Sequence, residues 1–161
     1  MFTGALAASY YGSPRTTADV DIVVKVSQNS PQSKLVPALK KAELRIDEKK
    51  IETASKSGCR IVTLKDSKSP FTVDIMLSLK NLEKRAGTIL GLPTFYQTPE
   101  ELILAKLRMI KVTISKERAL KDKDDVKAIL RFTKLDINAI KKQAQQDNTL
   151  QILETIITSI R

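Results

Sequence analysis

The fold is decided by residues 4–26, which read GALAASYYGSPRTTADVDIVVKV. Its first part, residues 5–11, is small and apolar and ends at a glycine, which predicts a short helix. Residues 20–26 are rich in valine and isoleucine, which predicts a strand. Side chains two apart along a strand share a face, so Asp19 and Asp21 should project side by side. The segment therefore predicts a helix, a turn and a strand with two carboxylates on its polar face.

A third carboxylate belongs with this pair. Asp74 lies among apolar residues in the strand-like run 72–76. Adjacent carboxylates repel each other unless a positive charge lies between them, and Mg²⁺ accepts one or two carboxylates together with water and phosphate oxygens. If the two strands are neighbours, three carboxylates can bind two metal ions. Each aspartate alone is as typical of a surface turn or an edge strand. Together, Asp19, Asp21 and Asp74 predict a site for Mg²⁺, with Mn²⁺ as the alternative ion.

The rest of the first 97 residues mixes helix and strand patterns, and residues 80–97 look irregular, with short extended pieces around 88–90 and 94–96. The strand at 71–76 follows another strand after a connection of hairpin length. The remaining predicted elements are a helix from Ser30-Pro31 with an apolar face, a polar helix over 47–55 ended by Gly58, and a strand over 60–64.

The last third of the sequence is helical in pattern. Thr98 and Glu101 have the spacing of a capping box, and Pro99 falls at the first helical position. Further helices are predicted over 122–132, 138–145 and 149–160. The fold class is therefore α/β (α+β), a mixed sheet with flanking helices followed by a C-terminal helical region. Residues 1–97 are expected to form the core, with residues 98–161 packed on it as a single compact unit.

Composition excludes several functions. The 161 residues include no histidine and one cysteine, Cys59, which rules out Ser-His-Asp chemistry, imidazole-bound zinc and an internal disulfide. This cysteine usage suits a reducing, cytoplasmic location. The net charge of +10 favours nucleotides or RNA as partners, although a lysine-rich solubility surface explains it equally well. Membrane association is not expected, since no apolar run approaches the ~20 residues of a membrane span.

Seven short motifs follow one another along the chain. They resemble the motifs of the polymerase-beta-like nucleotidyltransferase superfamily, in particular the branch of the abortive-infection (AbiEii) toxins and related minimal enzymes. The resemblance covers nearly the whole chain. The motifs are Gly4-Ala5, Arg15-Thr16-Thr17, Asp19-Val20-Asp21, Val73-Asp74-Ile75, Pro99-Glu100-Glu101-Leu102-Ile103, Lys106-Leu107 and Lys121-Asp122-Lys123-Asp124-Asp125.

The resemblance implies a nucleotidyltransferase fold and a metal-dependent activity. A nucleoside monophosphate would pass from a nucleoside triphosphate to a hydroxyl of RNA (tRNA-like) or of a protein. The chain would belong to a toxin–antitoxin or defence system, with a partner protein encoded in the same two-gene module. Catalysis is assigned to Asp19, Asp21, Asp74 and Lys106. Nucleotide binding is assigned to Gly4, Ala5, Arg15, Thr16, Thr17, Lys121, Asp122 and Asp125.

Several of these residues could instead have a purely structural role, and two other functions are compatible with the sequence. The family often has serine or glycine where this chain has Ala5, which leaves only backbone N–H groups for phosphate at the helix start. Lys106, the one charge in an apolar stripe, could instead extend past the edge of the core. Asp122 and Asp125 could simply favour a helix start. Two rival functions follow: a catalytically weak nucleotidyltransferase-fold binding module, antitoxin-like or RNA-binding, and a basic RNA-binding protein without a nucleotide site.

Overall fold

The computed structural model describes residues 1–12, 14–26, 32–56 and 61–160. The expectations at Ser30-Pro31, at Gly58 and Cys59, and at Arg60 lie outside these residues. The elements are α1 (Gly4–Tyr11), β1 (Asp19–Lys25), α2 (Gln32–Lys41), β2 (Leu44–Arg45), α3 (Glu48–Lys56), β3 (Ile61–Asp66), β4 (Thr72–Ser78), β5 (Lys84–Ile89), β6 (Leu92–Gln97), α4 (Pro99–Val112), α5 (Lys116–Phe132), α6 (Ile137–Gln146) and α7 (Leu150–Thr158). The chain is mixed α/β, as its sequence pattern predicts.

Two compact units make up the chain. The sheet unit consists of Met1–Gly4 and Thr16–Tyr96, and the helical unit of Ala5–Arg15 and Gln97–Arg161. Helix α1 therefore belongs almost entirely to the helical unit, whereas the sequence grouped it with the core. The expected packing of the two regions as one unit stays a prediction.

The main sheet of the sheet unit has the strand order β1-β4-β3-β2. Strands β1 and β4 run parallel, and β3 pairs antiparallel with both β4 and β2. The hairpin predicted between β3 and β4 is confirmed, and the Asp66 N–H donates to the Phe71 carbonyl at 3.1 Å. The non-local pairing of β1 with β4 brings the two aspartate-bearing strands together.

One face of this sheet is the core of the unit. Alternate residues of β1, β3 and β4 point to it and pack against α2 and α3, since strand side chains alternate between faces. The opposite face therefore carries the other set of residues, including the aspartates. The core consists of Leu35, Val36, Leu39, Ile51, Ala54, Val62, Leu64, Ile75 and Leu77, with Ile22, Val24, Val26, Leu44, Ile46 and Val73 packed on it.

The region expected to be irregular contains the hairpin of β5 and β6. Its turn is Leu90-Gly91, and both residues have positive φ, 50° and 80°. Positive φ at both central residues is characteristic of a type I′ turn, which usually has Asn-Gly there. The expected extended pieces at 88–90 and 94–96 overlap these strands, but the irregular assignment of the segment was wrong and the hairpin was missed, because a leucine in the turn and Pro93 in the strand hide the hairpin pattern.

The helical unit packs α4 against α5, α6 and α7. The helix starts at 115–116 and 136–137 are capped, since the side chains of Ser115 and Asp136 accept backbone N–H bonds. At α4, Thr98 is the N-cap and Pro99 follows it, as predicted. The predicted capping box is wrong: the Thr98 side chain makes no cap hydrogen bond, and its buried hydroxyl has no partner within the described residues.

No helix in the described parts of the chain has both the length and the apolar character that crossing a membrane requires.

Candidate functional site

The polar face of the main sheet brings the three predicted aspartates onto adjacent strands. Asp21 of β1 is directly opposite Asp74 of β4, and Asp19 is opposite Thr72. Directly paired residues of neighbouring strands point to the same face. Asp19, Asp21 and Asp74 therefore share one face, opposite the apolar core, as the strand pattern required.

Two threonine hydroxyls hold this acidic cluster, which we define as Asp19, Asp21 and Asp74. Thr72 Oγ1 donates to Asp19 Oδ1, and Thr63 Oγ1 donates to Asp74 Oδ1, both at 2.5 Å. Thr63 lies on β3 directly opposite Asp74. Sequence reasoning missed both threonines, because their role depends on the register between strands.

Gly4 lies against the acidic cluster. The Thr3 N–H donates to the Asp21 carbonyl at 3.0 Å, which fixes the chain beside β1. A Cβ atom on Gly4 would lie 2.0 Å from Asp21 Oδ2, and the Gly4 φ of 59° is unfavourable for other residues. Only glycine fits here, which gives Gly4 a steric role that its place in the motif did not reveal.

The acidic cluster fits Mg²⁺ in ligand type, since this ion binds oxygen ligands and uses one or two carboxylates. The backbones of Asp21 and Asp74 are about 4.8 Å apart, and Asp19 is about 7 Å along its strand from Asp21. As the side chains stand, no group of three or more acidic, cysteine or histidine residues in the described ranges is arranged to hold a metal ion. Binding one ion with all three would require these side chains to rearrange, and the Oδ2 atoms of Asp19 and Asp74 are not used by the threonines.

A second cluster, in the helical unit, contains four predicted site residues. Lys106 of α4 contacts Asp122 at 2.9 Å and Asp125 at 2.7 Å. Arg15 donates to both oxygens of Asp125 through Nε and a terminal nitrogen, at 2.9 and 3.1 Å. We call these residues the ion-pair network. It contains two positive and two negative groups and is therefore neutral.

The ion-pair network is largely buried. The side chains of Lys106 and Asp125 are 6% and 5% exposed, and that of Asp122 is 14% exposed, whereas Arg15 is one-third exposed. Lys106 therefore does not reach past the edge of the core. The predicted helix start at residue 122 is wrong, because α5 begins at Lys116 and both Asp122 and Asp125 lie within the helix. A phosphate group at Lys106 would have to compete with two carboxylates.

The remaining predicted residues lie apart from the ion-pair network. Thr17 makes a local turn, since its hydroxyl donates to the Asp19 carbonyl and accepts from the Asp19 N–H. Thr16 is exposed, and Ala5 is buried. Lys121 is exposed and pairs with Glu117 one turn earlier at 2.7 Å. The nucleotide-binding roles of these residues stay predictions.

Comparison with protein-family models finds no match for this sequence, and comparison with curated proteins finds none either.

Proposed function

We propose that this protein is a metal-dependent nucleotidyltransferase that transfers a nucleoside monophosphate from a nucleoside triphosphate to an acceptor hydroxyl. The observation that carries the proposal is the register of the parallel pair, which sets Asp21 opposite Asp74 with Asp19 on the same face. Three carboxylates so close repel one another, which is unfavourable without a cation. The resemblance in motif order supports the same activity.

The reaction forms one bond and breaks one. The acceptor oxygen attacks the α-phosphorus of the nucleotide, the bond from that phosphorus to pyrophosphate breaks, and the acceptor proton leaves. Mg²⁺ held by the acidic cluster would neutralise charge on the phosphates, the main requirement of phosphoryl transfer. We assign Asp19 and Asp21 to metal binding. Asp74, oriented by Thr63, is assigned to metal binding and to removal of the proton.

The residues of the ion-pair network have a more limited part in this proposal. Lys106 and Arg15 are assigned to phosphate binding by resemblance, and both are paired with aspartates in the structure. Their contribution to nucleotide binding would require exchange of a carboxylate for a phosphate.

The test is calorimetric titration of ATP, CTP, GTP and UTP with Mg²⁺ and with Mn²⁺. The variants are Asp21→Asn and Asp74→Asn, and the matched control is Asp124→Asn, an exposed aspartate outside the acidic cluster. We expect one nucleotide to bind only with metal, and this binding to be lost in the two cluster variants and kept in the control. No nucleotide binding at millimolar concentration would refute the proposal.

A second readout needs no nucleotide. Without metal, Asp21→Asn removes a repulsive charge and should stabilise the sheet unit by a few tenths of a kcal/mol, on the order of other like-charge pairs. Added Mg²⁺ should raise the unfolding midpoint of the wild type more than that of the variant. Equal Mg²⁺ responses would show that the acidic cluster does not bind the ion.

The second candidate is a nucleotidyltransferase-fold binding module with weak or no catalysis. Two observations favour it: the described residues contain no ready-made metal-ligand group, and Ala5 provides no hydroxyl. Nucleotide binding that does not depend on metal, without pyrophosphate release in the presence of an acceptor, would select this candidate.

A further inference from the structure

Two basic residues lie on the polar face of the main sheet, on the strands β3 and β2 beyond the acidic cluster. Lys65 of β3 lies opposite Thr72, and Arg45 of β2 lies opposite Lys65. Because Thr72 is opposite Asp19, these residues form one row across four strands, on the same face as the acidic cluster. Lys65 and Arg45 are both exposed.

A groove lies beside the same strand, in the sheet unit. It has a volume of about 420 Å³ and is lined by Lys49, Lys50 and Thr53 of α3 and by residues 61–63 of β3. Thr63, which also donates to Asp74, is part of this lining. The groove and the acidic cluster are therefore neighbours through this one residue.

We call four residues the basic strip: Arg45 and Lys65 on the polar face, and Lys49 and Lys50 of α3 at the groove beside β3. Where the chain is described, none of their side chains has an ion-pair partner, whereas nearby Lys40 and Lys68 pair with Glu48 and Glu43. Four cations without counter-ions are suited to bind an anion supplied from outside. The groove adds one exposed apolar side chain, that of Ile61, which a base can contact.

The spacing favours a polymer over a single nucleotide. Arg45 is three strands away from Asp19, about 14 Å at the usual strand separation. A stacked nucleic-acid strand advances about 3.4 Å per nucleotide, so this distance corresponds to about four nucleotides. A mononucleotide whose phosphates lie at the acidic cluster would bring no phosphate to Arg45.

We propose that the basic strip binds the phosphates of a single-stranded nucleic acid, the acceptor, and so directs its hydroxyl end to the acidic cluster. The assignment of this strand as acceptor rests on the proposed function, whereas binding of the strand by the strip does not. RNA and DNA offer the same phosphate chemistry.

The test uses fluorescence anisotropy with labelled single-stranded RNA and DNA of one sequence, titrated over a range of KCl concentrations without metal or nucleotide. The variants are Arg45→Gln/Lys65→Gln and Lys49→Gln/Lys50→Gln. The matched control is Lys141→Gln/Lys142→Gln, which removes two exposed charges from α6 of the helical unit.

The slope of log K against log salt is negative, and each lost phosphate contact reduces its magnitude by about 0.7 for a single strand. Each strip variant should therefore lose about 1.4 in slope, which is about 25-fold in affinity at 0.1 M salt. The control should keep the wild-type slope. Binding by either RNA or DNA with this pattern supports the strip, and the tighter of the two identifies the acceptor.

Equal losses in the strip variants and the control would show a general charge effect and overturn the proposal, as would no binding by the wild type. Failure of the proposed function is separately visible. If the strip variants lose oligonucleotide affinity while no nucleoside triphosphate binds the wild type, nucleic-acid binding by the basic strip is supported and the proposed transferase function is refuted.

Discussion

Replacing Lys106 by methionine tests whether the helical unit depends on its buried ion-pair network. The Lys106 ammonium contacts Asp122 and Asp125 at 2.9 and 2.7 Å, and the residue is 5% exposed. Methionine keeps most of the apolar stem and removes the charge. The network, neutral in the wild type, then has a net charge of −1.

The loss in unfolding free energy depends on the contacts that Asp122 and Asp125 keep in the variant. Removing one partner of a buried ion pair costs about 3–5 kcal/mol. Asp125 keeps its two bonds to Arg15, and Asp122 is 14% exposed and can be partly rehydrated. We therefore expect the lower end, a loss of about 3 kcal/mol, equivalent to a fall in Tm of about 6–12 °C for a chain of this size.

Urea unfolding followed by far-UV circular dichroism measures this loss. The matched control is Lys121→Met, which removes a solvent-exposed pair with Glu117 and should leave the urea midpoint close to that of the wild type. In Lys106→Met/Asp122→Asn neutrality returns, and part of the lost stability should return with it. If Lys106→Met unfolds at the same urea concentration as Lys121→Met, Lys106 is not buried between two carboxylates and the reasoning is wrong.

Three further predictions concern stability. Leu90→Asn should stabilise the β5–β6 hairpin by up to about 1 kcal/mol, because asparagine tolerates positive φ better than leucine; an unchanged urea midpoint would contradict the turn geometry. Gly12→Ala should lower the free energy of unfolding by about 1–3 kcal/mol in the same assay, since the new Cβ would lie 2.8 Å from Ala128 Cβ of α5. An unchanged free energy of unfolding would show that the backbone at residue 12 can move away from α5 at little cost. A hydrogen bond from Arg108 holds the pKa of Asp147 below its ordinary value. The contribution of Asp147 to the free energy of unfolding is therefore full above the unfolded-state pKa of about 3.9, and it is lost as pH falls through the lower folded-state pKa. The difference in unfolding free energy between the wild type and Asp147→Asn should therefore shrink between pH 5 and pH 2. A difference independent of pH would refute this linkage.

Local geometry explains what could be predicted from the sequence. The alternation in residues 19–26 places Asp19 and Asp21 on one face, because side chains in any strand alternate. The connection between residues 66 and 72 predicts a hairpin, and Pro99 marks the start of α4. Lys106 stood out as the one charge in an apolar helical stripe. Each of these inferences needs only neighbours a few residues apart.

Only the tertiary structure decided which of these residues meet. Asp21 lies opposite Asp74, 53 residues later, and Arg15 bonds to Asp125, 110 residues later. Neither distance is encoded in a local pattern, because strand order and register depend on how the whole apolar face packs. The sequence by itself determined that Asp19 and Asp21 share a strand face, that Asp74 lies in an apolar strand, and that one lysine interrupts an apolar helical stripe. The fold decided that the carboxylates share one polar face while the lysine is neutralised by aspartates, because burial of a charge requires a partner.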